Sequence, residues 1–88
     1  VSCENKEQNA TADCANAVEN MAIAAKALGL DSCYLASYQV CLNAPSGGED
    51  KKMLGIPEGY VPNFALAIGY GAEQPEPAPR REGTVNWI

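Results

Sequence analysis

Apolar residues first fall into a helical rhythm in the first third of the chain. Ala15, Val18, Ala22 and Ala25 recur every three to four residues, and Met21 and Leu28 widen the stripe. This predicts a helix from about Ala12 to Leu28. Thr11 is placed to cap its start, Asp13 suits the positive end of the dipole and Lys26 the negative end. Gly29 is the natural left-handed stop. A stripe rich in alanine lets a neighbouring backbone come close, as in a buried or interface helix.

After Gly29 the period changes. Ser32-Cys33-Tyr34-Leu35-Ala36 predicts a short strand, and residues 37–45 are ambiguous between helix and loop. Ser46-Gly47-Gly48 reads as a flexible joint, and Glu49 to Leu54 as one or two helical turns ending at Gly55. Ile56-Pro57-Glu58-Gly59 predicts a turn, with fixed φ at the proline and permissive φ at the glycine. Phe64 to Tyr70 is apolar on both faces, the pattern of a central strand. Pro75, Pro77 and Pro79 then enforce an extended arm, and Trp87 and Ile88 at its far end predict that it docks on another surface. Upstream, Val1-Ser2-Cys3 reads as the tail of a strand already under way, and residues 4–9 as a polar loop. The fold class expected is α+β: long helix, strand, short helix, central strand and C-terminal arm.

Composition narrows the function. Eighty-eight residues suffice for one domain, and a chain this short is marginally stable by itself. Its 47% hydrophobic content is ordinary for a globular protein. A net charge of −5 with six scattered basic residues argues against nucleic acid, whose binding neutralises phosphates. No apolar run is long enough for a membrane span, and no secretory leader opens the chain. The expected location is cytoplasmic. Cys3, Cys14, Cys33 and Cys41 form no Cys-x-x-Cys pair, and no histidine is present to complete a zinc site, so no metal is expected. Reduced thiols are the expectation in a cytosolic protein, although four cysteines also suffice for two disulfides in a secreted one. The Asn9-Ala10-Thr11 glycosylation pattern carries little weight for the same reason. Glu49-Asp50-Lys51-Lys52 reads as a solvated helical face. Tyr38 and Tyr60 read as core or rim residues.

Three blocks in order resemble the C-terminal half of the nitroreductase family of FMN-dependent oxidoreductases. They are Asp13 through Leu30 with Cys33-Tyr34-Leu35, then Leu54-Gly55-Ile56-Pro57-Glu58-Gly59-Tyr60, then Ala65-Leu66-Ala67-Ile68-Gly69-Tyr70 with the proline-arginine arm. The resemblance implies a nitroreductase-like fold of which residues 1–88 form the C-terminal portion. The N-terminal half, with its own phosphate motif and most of the dimer core, has no match here.

The resemblance also implies a homodimer with FMN in clefts between subunits. A nicotinamide donor, NADH or NADPH, supplies electrons that pass through FMN to a nitroaromatic or quinone-type small molecule. The flavin carries the chemistry, so no catalytic side chain is implied. Tyr34, Leu35, Ala36 and Ser37 fall where the family packs one face of the flavin ring, with a backbone N–H near its N5/O4 edge. Arg80 falls on the second of two basic positions that hold the FMN phosphate, and Ala78 replaces the first. Arg81 is the candidate substitute. An isolated half-cleft is expected to bind FMN weakly and to be inactive. The competing reading is a non-catalytic fragment or dimerisation module that binds no flavin.

Overall fold

The computed structural model describes residues 1–4 and 8–88. The order is β1 (Ser2–Glu4), α1 (Ala10–Ala27), β2 (Asp31–Leu35), α2 (Tyr38–Asn43), a 3-10 turn (Pro45–Gly47), α3 (Gly48–Met53), β3 (Tyr60–Pro62) and β4 (Ala65–Gly69). This is the expected α+β plan. Part of the loop expected at residues 4–9 lies outside the described residues.

The helix α1 begins two residues earlier than its periodicity predicts, and Thr11 does not cap it. Asn9 is the capping residue, without a side-chain cap bond. The Thr11 hydroxyl donates instead to Oδ1 of Asn63, 3.4 Å away. At the other end Gly29 adopts φ +77°, with Gly29 N–H bonded to the Lys26 carbonyl at 3.0 Å and Leu30 N–H to the Ala25 carbonyl at 2.9 Å. That pair of bonds is a Schellman stop, which satisfies carbonyls the helix leaves open. Gly55 repeats it after α3, at φ +67°, through Gly55 N–H to Lys52 and Ile56 N–H to Lys51, both 3.0 Å. The turn at Pro57–Tyr60 also forms, with Gly59 at φ +85° and Tyr60 N–H bonded to the Pro57 carbonyl at 3.1 Å.

Residues 60–69 run as one extended stretch that changes partners. β3 pairs antiparallel with β1, with Cys3 opposite Val61, and β4 pairs antiparallel with β2, with Cys33 opposite Ala67. Asn63 and Phe64 lie at the changeover, where Asn63 N–H donates to the Val1 carbonyl at 3.1 Å. α1 packs across both pairs. Its buried stripe is Ala10, Cys14, Val18 and Ala25, so Cys14 joins the apolar face, while Met21 and Leu28 stay exposed. Val18 and Pro62 are the largest fully buried side chains. Removing a valine from water contributes on the order of 2 kcal/mol.

The joint expected at Ser46–Gly48 is folded. Gly47 is buried in the 3-10 turn, and a Cβ there would lie 2.7 Å from the Leu42 carbonyl carbon and 2.8 Å from the Cys41 oxygen. The charged run on α3 is solvated as expected, Lys51 alone being half-buried.

Much apolar surface is left uncovered. β4 has β2 on one edge, and no described strand lies on the other. Ile68 is 47% exposed and Trp87 92% exposed, and no residue beyond Gly69 is buried. The radius of gyration is 16.2 Å, against about 12 Å for a compact domain of this length. The arm has no helix or strand and rests on no core of this chain.

Candidate functional site

The residues expected at the flavin ring occupy the corner where β2 turns into α2. Leu35 ends the strand opposite Ala65, and Tyr34 lies opposite Leu66. The Tyr34 ring packs on Phe64 at a centroid distance of 5.4 Å and a tilt of 45°, which steadies this end of the sheet. Tyr34 is 45% exposed and Leu35 37% exposed, and Ala36 and Ser37 are exposed too. Ser37 is the N-cap residue of α2, yet its hydroxyl makes no cap bond. Its carbonyl accepts from Val40 N–H at 3.0 Å, while its own backbone N–H has no acceptor among the described residues. The corner therefore offers a small, mostly apolar surface with a free N–H and a free hydroxyl beside it.

Arg80 and Arg81 are exposed on the arm. Among the described residues, the hydrogen bond at this pair runs from the Thr84 hydroxyl to the Arg81 carbonyl at 3.5 Å. Among the described residues the single ion pair is Lys26–Asp31, so both guanidinium groups are available to an anion. Among the described residues no hydrogen bond or ion pair links the arginine side chains to the β2–α2 corner. The residues at each place fit what a flavin mononucleotide presents, an apolar ring with a polar edge and a dianionic phosphate.

Two shallow hollows lie elsewhere. One, of about 360 Å³, runs along the β2–β4 pair over Asp31, Ile68 and Tyr70. The other, of about 260 Å³, lies between Tyr38, Ile56, Pro57 and Pro62. Neither includes residues 34–37 or the arginines. Among the described residues no cluster of three metal-ligating side chains occurs, and no helix is long and apolar enough to cross a membrane.

The contacts that hold the surrounding elements together were not legible in the sequence. Asp31 closes the start of β2, at the end of the β2–β4 pair away from the corner, accepting from Lys26 Nζ at 3.0 Å and from Gly71 N–H at 3.1 Å. The Lys26 bond, then the Gly71 bond, hold its carboxyl below the ordinary range. Asn63 is buried and fully bonded, its Nδ2 donating to Val61 carbonyl at 3.0 Å and to Cys3 Sγ at 2.9 Å. Asn43 Nδ2 donates to the Pro62 carbonyl at 3.1 Å and ties α2 to β3.

The nitroreductase family model matches residues 2–70. The chain belongs to the nitroreductase family. Its fold is similar to that of a nitroreductase with bound FMN from Bacteroides fragilis, at a TM-score of 0.89 and 30% identity. The match covers 99% of this chain and 48% of that one, so the chain spans about half the length of the nitroreductase it matches. The family expected from the ordered sequence blocks is the one found, and with it an oxidoreductase fold.

Proposed function

We propose that this chain supplies the C-terminal portion of an FMN-binding oxidoreductase domain, one that moves electrons from NADH or NADPH to a nitroaromatic or quinone-type acceptor. The observation that carries this reading is the likeness, over nearly the whole chain, to a nitroreductase with bound FMN. In this reading FMN supplies the hydride and electron chemistry, and the protein holds and tunes it. Leu35 and Ala36 give one ring face an apolar seat. The Ser37 N–H, without an acceptor among the described residues, would donate to the ring's polar edge. Arg80, with Arg81 beside it, binds the phosphate through charge-assisted hydrogen bonds.

The open corner and the undocked arm support completion of the cleft by a second subunit and by an N-terminal half of the same domain. The exposed Tyr70, Val85, Trp87 and Ile88 are apolar surface available to those partners. Four unpaired thiols suit a reducing compartment, and the cytoplasm is where we place the protein.

The test is the visible spectrum of the full-length protein purified without added cofactor, followed by reduction with NADH and NADPH. A flavin band bleached by a nicotinamide donor supports the reading. A colourless protein that takes up no FMN refutes it and leaves the non-catalytic module.

A further inference from the structure

β4 ends at Gly69, opposite Asp31. In the same register Gly71 falls opposite Gly29, which belongs to the stop of α1 and not to a strand. The Asp31 side chain takes over there. Its Oδ2 accepts from the Gly71 N–H at 3.1 Å, and its Oδ1 accepts from Lys26 Nζ, in the last turn of α1, at 3.0 Å. One carboxylate thus ties the end of the helix to the root of the arm through two charge-assisted bonds. Among the described residues no other hydrogen bond past β4 joins the arm to the body of the chain. The chain bends at Ala72 and then runs on without helix or strand through Arg80. Gly71 is not in a positive-φ conformation, so its lack of a side chain matters for room and not for backbone freedom. A Cβ there would lie 2.5 Å from Asp31 Oδ2 and 3.0 Å from Asp31 Cγ.

A direction set at the root carries to the tip. Pro75, Pro77 and Pro79 fix their own φ and hold Gln74, Glu76 and Ala78 extended. At the polyproline rise Arg80 stands up to about 28 Å from Gly71, so a swing of about 20° at the root moves it by about 10 Å. We propose that Asp31 and Gly71 form a latch that aims the arm, which makes Asp31 a positioning residue for the flavin phosphate. The inference rests on the reading of Arg80 as a phosphate ligand. Asp31 itself touches no flavin and acts through the arginine. An arm released from the latch samples other directions, and the apparent affinity falls with the fraction of arms still aimed at the cleft.

The experiment measures FMN and riboflavin affinity in the full-length protein and in its Gly71→Ala, Asp31→Ala and Arg80→Ala variants, with the Gly71→Ala/Arg80→Ala double variant. Gly71→Ala is the decisive one, because its methyl meets only a surface carboxylate and leaves the core alone. FMN affinity should fall about five- to tenfold in Gly71→Ala and in Asp31→Ala, with riboflavin affinity unchanged. Gly71→Ala should cost nothing further once Arg80 is alanine, since the latch acts through that side chain. A residue with a merely structural role would weaken both flavins and add its loss to that of Arg80→Ala. Either of those results, or an unchanged FMN affinity in Gly71→Ala beside a loss in Arg80→Ala, would overturn the latch and leave the phosphate reading standing. No FMN loss in Arg80→Ala would overturn both.

Discussion

Replacing Asn63 by alanine tests the contacts that hold the β1–β3 pair to α1. The Asn63 side chain is 6% exposed and makes three bonds, at 2.9 Å to Cys3 Sγ, 3.0 Å to the Val61 carbonyl and 3.4 Å to the Thr11 hydroxyl. A neutral hydrogen bond contributes about 0.5–1.5 kcal/mol net, and partners left unpaired add to the loss. The Thr11 bond is long and its hydroxyl is exposed, so water replaces the lost partner there. The Val61 and Cys3 bonds carry most of the effect. The expected loss is about 2 kcal/mol, a large share of the stability of so small a domain. Urea unfolding followed by far-ultraviolet circular dichroism is the suitable assay, because Trp87 sits exposed on the arm and its fluorescence reports little of the core. The midpoint should fall with the denaturant slope unchanged. A double-mutant cycle with Thr11→Val should give a coupling below about 0.5 kcal/mol, in keeping with the long contact. A loss under about 0.5 kcal/mol for Asn63→Ala would refute the reasoning, since that is the range of an ordinary surface change.

Gly47→Ala should cost about 1–3 kcal/mol, because the new methyl meets backbone of Cys41 and Leu42 that cannot turn aside. Gly29→Ala has open space around it and should cost only about 1 kcal/mol, from its positive φ alone; chemical denaturation orders the two, and the reverse order would contradict the packing. For Asp31 the folded-state acidity is strengthened by Lys26 and Gly71, so its contribution is present above the unfolded carboxylate value of about 3.9 and is lost as pH falls through the lower folded value. Asp31→Asn should remove that acid dependence and speed hydrogen exchange at the Gly71 amide at neutral pH.

What the sequence revealed depended on how local the cause was. The Gly29 and Gly55 stops and the Pro57–Gly59 turn rest on backbone preferences of single residues, and each formed as read. The apolar strand read as central over Phe64 to Tyr70 formed over Ala65–Gly69, paired with β2 alone among the described strands. The start of α1 did not form as read: the helix begins at Ala10, so Thr11 lies inside it and its hydroxyl donates to Asn63 instead of capping. Gly47 looked like a hinge because two adjacent glycines permit flexibility; only the approach of Leu42 shows it to be a packing requirement. The roles of Asn63 and Asp31 had no sequence signal, since their partners lie up to 60 residues away. Tyr34 to Ser37 and Arg80 with Arg81 were singled out by family resemblance. The single chain shows why periodicity would not have found them: each set lies on open surface, unburied and unpatterned.

The claim that the arm delivers a guanidinium to the flavin phosphate is tested most directly by comparing FMN with riboflavin, which lacks the phosphate, in the full-length protein and its Arg80→Ala variant. A charge-assisted hydrogen bond contributes about 1.5–3 kcal/mol, so FMN affinity should drop about ten- to a hundredfold while riboflavin affinity stays the same. Equal losses for both flavins, or no loss for FMN, would contradict the account.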